Sequence, residues 1–200
     1  MSKRIYISAD YSLSDGDRNV IEVLQAWGNE SLHKVDYIDT AEVISGSVSN
    51  DSDCRACDLK EEFNRQINAS SSVIFVIGDK TSARTAGSNC ERTSKQWYEC
   101  SCTPYKQNVK GIQQCKVMNT VRSVGNVGPI NSYSYLKHEF LQAVKQEKNI
   151  IIFYNSLNKQ TSWLPSYMKD YKELAVPFWK LDAFGNKKGD YAHLKEALGY

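Results

Sequence analysis

The chain has 200 residues, 41% of them hydrophobic and 24% charged, with only 4 Pro and 11 Gly. This is the make-up of one soluble globular domain, and it excludes a disordered or collagen-like chain. Lys and Arg number 25 against 23 Asp and Glu, a formal charge of +2, too small for the positive field on which nucleic-acid binding rests, so no nucleic-acid partner is expected.

The elements follow in chain order. Arg4 to Ser8 is a short apolar run that predicts a buried strand, closed by Ala9, Asp10 and Tyr11. Ser8, Ala9 and Asp10 also interrupt the apolar stretch that a signal peptide needs, and no window approaches the roughly 20 apolar residues of a membrane span, so a cytoplasmic protein without membrane attachment is expected. Val20, Val23, Leu24 and Trp27 recur at helical spacing, with Ser14 or Asp15 to cap the start and Gly28-Asn29 to end it. Val35 to Ile38 reads as a second strand, and the Ser, Gly, Asn and Asp content of residues 40 to 53 as a loop. Leu59, Phe63 and Ile67 mark a second helix, opened by Asp58 with Glu61 at capping-box spacing. Ser72 to Ile77, before Gly78-Asp79, is the clearest buried strand.

From Thr81 the pattern breaks down, and residues 84 to 131 read as a long irregular insertion holding four of the six cysteines. Leu136, Phe140, Ala143 and Val144 then define a third helix that runs into a fourth strand, Asn149 to Tyr154. A short helix after Pro165, a last strand from Val176 to Leu181 and a closing helix from Tyr191 to Leu198 complete the chain.

Strict alternation of strand and helix predicts a single α/β domain over residues 1 to 200, a five-stranded parallel sheet of flavodoxin-like order 2-1-3-4-5 with helices on both faces. The ligand crevice of such a sheet lies at the carboxyl ends of strands one and three. That places Ser8, Ala9, Asp10 and Tyr11 beside Gly78, Asp79 and Lys80, near the start of the third helix. No Gly-x-Gly-x-x-Gly follows the first strand, and there is neither a phosphate-binding Gly-Lys-Ser/Thr loop nor a Gly-x-Ser-x-Gly elbow. With three histidines in all, His33, His138 and His193, serine hydrolysis is not expected.

Three segments together carry a family resemblance. Arg4 to Tyr11 resembles the first strand and following loop of TIR-like domains. Ser71 to Ser82 is similar to the third strand of that family, in particular of the TIR-like proteins of bacterial Thoeris antiphage defence. Ser134-Tyr135-Leu136-Lys137-His138-Glu139-Phe140, running into Ile150-Ile151-Ile152, resembles the stretch in which Glu follows an aromatic residue by four positions. The resemblance implies an NAD-cleaving enzyme with Glu139 as the catalytic glutamate. It implies NAD as substrate rather than a resident cofactor, an ADP-ribose-derived cyclic or conjugated signal, an effector protein as partner, and a homo-oligomer.

The chemistry stands beside the name. Nicotinamide is already a cationic leaving group in NAD, so its glycosidic bond breaks without the general acid an ordinary glycoside requires. One carboxylate under the ribose suffices to stabilise the oxocarbenium-like charge. The bland alternative for Glu139 is a solvated acid near a helix N-terminus, where substitution barely changes stability. Asp10 and Asp79 suit ribose or amide contacts but equally suit turns. Tyr11 and Tyr135 suit stacking on a base or on nicotinamide, and equally suit the core or its rim. His138 lies about 100° around the helix from Glu139, outside the same pocket.

The cysteines offer a competing reading. Cys54-Arg55-Ala56-Cys57 lies just before the second helix, a position that lowers a thiol pKa and suits a redox Cys-x-x-Cys. Here, however, a long polar loop precedes the pair and no Pro occurs until Pro104, unlike a thioredoxin site. With Cys100 and Cys102, or Cys90 and Cys115, they supply thiolates for zinc without ordinary ligand spacing, so buried free thiols and no metal are expected. The second loop lacks the usual TIR pattern and the insertion is longer than normal, which keeps a catalytically silent interaction domain as the alternative function. Because long surface insertions cost little closure entropy, replacing residues 84 to 131 by a short linker should leave a cooperatively folded sheet, measured by circular dichroism and thermal melting.

Overall fold

A computed structural model describes residues 3–9, 17–30, 35–39, 55–84, 105–107, 113–115 and 134–200. Its central element is a five-stranded parallel sheet built from β1 (Lys3–Ala9), β2 (Val35–Asp39), β3 (Ser72–Ile77), β6 (Asn149–Tyr154) and β7 (Ala175–Pro177), in the order β2-β1-β3-β6-β7. This is the flavodoxin-like order 2-1-3-4-5 expected from the alternation of elements. All 6 residues of β3 are buried, as a strand covered on both faces requires.

The two sheet faces separate by strand parity. On one, Tyr6, Val73, Phe75, Ile77, Ile152 and Tyr154 meet Phe63 and Ile67 of α2 (Arg55–Ala69) and Leu136, Phe140 and Ala143 of α3 (Tyr135–Lys145). On the other, Ile5, Ile7, Ile74, Val76 and Phe153 meet α1 (Arg18–Asn29) and α4 (Tyr191–Ala197). α2 and α3 are joined by Phe63 against Tyr135, ring centroids 5.5 Å apart and nearly perpendicular. At their far end Gln142 Nε2 donates to Asn68 Oδ1 at 2.8 Å, and Lys148 Nζ donates to the carbonyls of Asn68 and Ser70.

Several boundaries differ from expectation, each for a physical reason. α2 begins at Arg55, so Asp58 is an interior helical residue rather than the cap, and Cys57 lies within the helix rather than before it. α1 begins after Asp17, whose side chain does not cap it but accepts from Asn155 Nδ2 at 3.0 Å. The expected caps Ser14 and Asp15 lie outside the described residues. The last expected strand divides: β7 ends at Pro177, which has no N–H to continue the ladder. Beyond it, β8 (Trp179–Leu181) turns back to pair antiparallel with β9 (Lys187–Gly189). Between β3 and α3, β4 (Tyr105–Gln107) and β5 (Gln113–Cys115) form a separate hairpin, too short to leave an alternating pattern in the sequence. The segment after Pro165 forms a 3₁₀ helix, Ser166–Tyr171. Among the described residues no helix is long and apolar enough to cross a membrane.

α3 ends in a paired-turn cap. Lys148 N donates to Ala143 O and Glu147 N to Val144 O, each at 3.0 Å, with Glu147 in the left-handed region at φ 49°. Glycine is the residue suited to that position, since a Cβ there crowds the following carbonyl. We therefore predict that Glu147→Gly stabilises the fold by about 0.5–1 kcal/mol, read as a rise in Tm of about 1–3 °C.

Candidate functional site

The site grows from the period-two alternation of β1. Arg4, Tyr6 and Ser8 point to the α2–α3 face, and Tyr6 and Ser8 are fully buried. A hydroxyl in such a place needs a partner, and both find the same one. Tyr6 Oη donates to Glu139 Oε1 at 2.5 Å, and Ser8 Oγ donates to Glu139 Oε2. Each carboxylate oxygen thus accepts from a different residue of the same central strand, two positions apart, which fixes the carboxylate plane against the carboxyl-terminal half of β1.

Glu139 arrives there because α3 starts where it does. Ser134 caps the helix, its side chain accepting from Lys137 N, and Glu139 is the fifth helical residue. Leu136 and Ala143, three before and four after it, are core residues, so Glu139 lies on the apolar stripe. It is 1% exposed. The reading as a solvated first-turn acid is thereby corrected: the residue is past the first turn, where the helix dipole has faded, and it is buried. His138 is buried as well, so the helical offset between the two residues does not send one to solvent.

The other sequence candidates are distributed as follows. Asp79 is exposed in a tight turn in which Gly78 N donates to Thr81 Oγ1 at 2.9 Å and Thr81 N to Gly78 O, which matches its turn-forming alternative. Tyr135 is half-buried and packs on Phe63, at the rim of the core. Asp10 and Tyr11 lie outside the described residues, as do Cys54, Cys90, Cys100 and Cys102. Among the described residues, the expected binding residue Ser8 meets Glu139. Tyr6 was not singled out from the sequence, although its place two residues before Ser8 on a buried strand is the signal that would have found it.

A second polar cluster closes the other side of the strand ends. Asn155, just past β6, receives Trp179 Nε1 on its Oδ1 at 2.7 Å and donates to Asp17 Oδ1; its backbone N–H reaches Ile77 O. Asp17 is 6% exposed and lies so close to Gly78 that a Cβ there would be 2.7 Å from its Oδ1. This carboxylate sequence reasoning also missed. Among the described residues no group of three or more His, Cys, Asp or Glu side chains is arranged to hold a metal ion.

Glutamine at position 139 would replace an oxygen that accepts a hydroxyl with an NH₂ group that has no acceptor role. We predict that Glu139→Gln and Tyr6→Phe each destabilise the fold by about 1–3 kcal/mol, in contrast to the small effect expected of an exposed acid. The double variant should lose less than the sum by about 0.5 kcal/mol or more, measured by denaturant unfolding of all four proteins.

Geometry rather than kinship therefore carries the functional reading, because comparison of the chain with protein-family models and with curated proteins returns no match.

Proposed function

We propose that this protein is a TIR-like NAD nucleosidase whose catalytic carboxylate is Glu139. The observation that supports this most is the buried Glu139 carboxylate, oriented by two hydroxyls of β1 at the sheet end where parallel α/β folds bind ligands. The three-segment resemblance to TIR-like domains supports it from the sequence side.

In the proposed reaction the ribosyl C1′–N bond breaks and its electron pair goes to the pyridinium nitrogen, so nicotinamide leaves neutral. The positive charge shifts to the ribose ring, where a fixed carboxylate stabilises it without reorganising. Water then adds to C1′ and releases a proton, giving ADP-ribose; attack by a nucleophile of the same molecule gives a cyclic or conjugated signal instead. Tyr6 and Ser8 act as positioning residues. The ribose hydroxyls would bind at the carboxylate that these two hydroxyls orient. Since Glu139 is 1% exposed, contact with ribose requires a rearrangement around the carboxylate.

One observation favours a second reading, a catalytically silent domain that works by protein contact. Phe184 is 91% exposed at the tip of the β8–β9 hairpin, in a turn that Asp182 Oδ1 holds by accepting from Phe184 N and Asn186 N. An aromatic ring presented on an ordered turn suits an interface.

Nicotinamide release from NAD separates the two. In an active preparation Glu139→Gln should slow it roughly a hundredfold or more, the effect of losing about 3 kcal/mol of electrostatic stabilisation. Glu147→Gln, exposed beyond the end of α3, should retain the parent rate. Parent-rate release by Glu139→Gln would remove Glu139 from the chemistry.

A further inference from the structure

The sheet face opposite Glu139 carries a cavity of about 640 Å³ between α1 and the β8–β9 hairpin, within the size range of small-molecule sites. Trp27 and Tyr191 form its aromatic wall. Both are half-buried, with ring centroids 4.8 Å apart in an edge-to-face pair. The hairpin is seated directly on that wall, since a Cβ at Gly189 would come within 2.7 Å of the Trp27 ring. Only glycine permits this approach, so the wall and the hairpin have a fixed relation.

The hairpin brings charge to the same cavity. Its register sets Lys180 opposite Lys188, and like charges directly opposed across strands destabilise a hairpin. Both line the cavity, as does Lys187, which is held over the Trp179 ring at 4.2 Å. Lys180 is paired with the buried Asp190 at 2.6 Å. Among the described residues Lys188 makes no ion pair within 4 Å. At the hairpin turn the backbone hydrogen bond from Asn186, helped by the charge of Lys188, lowers the pKa of the Asp182 carboxyl. Asp190 and Glu30 also line the cavity, so its three ammonium groups exceed its carboxylates by one; Asp190 already offsets Lys180, and an anion beside Lys188 would offset the remaining charge.

We propose that this cavity binds a mononucleotide, with its planar base against Trp27 and Tyr191 and its phosphate between Lys188 and Lys180. Ring faces recognise any base by stacking, and a phosphate monoester brings close to two negative charges at neutral pH. A long nucleic acid is disfavoured, because the whole chain carries a formal charge of only +2. The site is separate from the Glu139 carboxylate, and the proposal does not depend on NAD cleavage.

Tryptophan fluorescence of the full chain, titrated with AMP, adenosine and inorganic phosphate, tests it, because Trp27 and Trp179 line the cavity. AMP should give one saturable transition, with adenosine and phosphate each binding at least tenfold more weakly. Lys188→Glu should weaken AMP at least tenfold and Lys188→Ala by a smaller factor. Lys172→Glu, an exposed lysine outside the cavity, and Glu139→Gln should both bind AMP as the parent does. The proposal is overturned if AMP does not bind, if adenosine binds as tightly as AMP, or if Lys188→Glu binds AMP like the parent. Loss of AMP binding in Glu139→Gln alone would place the nucleotide on the other sheet face and equally overturn it.

Discussion

A central strand covered on both faces has no room for a polar side chain that lacks a partner. β1 lies between β2 and β3, so everything its alternate residues present must be satisfied by the layer packed on that face. Tyr6 and Ser8 fall on the α2–α3 face and Ile5 and Ile7 on the other. One face of β1 therefore imposes a hydrogen-bond demand, which Glu139 answers, while the other requires only apolar contact. The position of α3 along the sheet is set by this demand as well as by Leu136, Phe140 and Ala143, because a carboxylate buried without donors would cost more than the apolar contacts around it return.

The strand ends show the same logic through a different group. Asn155 satisfies a backbone carbonyl of β3, a carboxylate before α1 and an indole of β8 with a single side chain and its own amide. Asp17 and Glu139 are thus both buried acids near the carboxyl edge of the sheet, and their surroundings differ in kind. Glu139 is held by hydroxyls, which can rotate and exchange partners; Asp17 is held by an amide that is itself anchored on two sides. In the proposed reaction the first arrangement exchanges a protein hydroxyl for one of the ribose. The second is a brace, and Gly78 is small because the brace passes against it.

Much of this was legible in the residues. The runs at Ile5–Ile7, Val73–Ile77 and Ile150–Phe153 are apolar because both faces of those strands are covered, and the strand order followed from their alternation with helices. Boundaries were less legible. Asp58 and Glu61 have the spacing of a cap, yet α2 begins at Arg55, before both of them; a spacing alone does not fix where a helix starts. The run from Val176 to Leu181 looks continuous because Phe178 and Trp179 are both buried, but they are buried in the layer beside the sheet rather than within it. The environment of Glu139 was half-legible: its spacing from Leu136 and Ala143 places it on the apolar stripe, while the hydroxyls it meets come from a strand more than a hundred residues earlier, which no local pattern encodes. The β8–β9 lysines gave no signal in the sequence, because their opposition exists only once the hairpin register is set.

The three-residue β7 closes one side of the sheet with Pro177 at its end, and on the other side β2 presents the exposed Asp36. A short border with a missing donor, and a border carrying a charge, are both poor templates for an incoming strand. The sheet is therefore guarded against edge-to-edge aggregation, including capture of its own nascent copies at high concentration. Among the described residues, strand addition at these two borders is disfavoured, which leaves the helices and the β8–β9 hairpin tip as the better-suited contact surfaces.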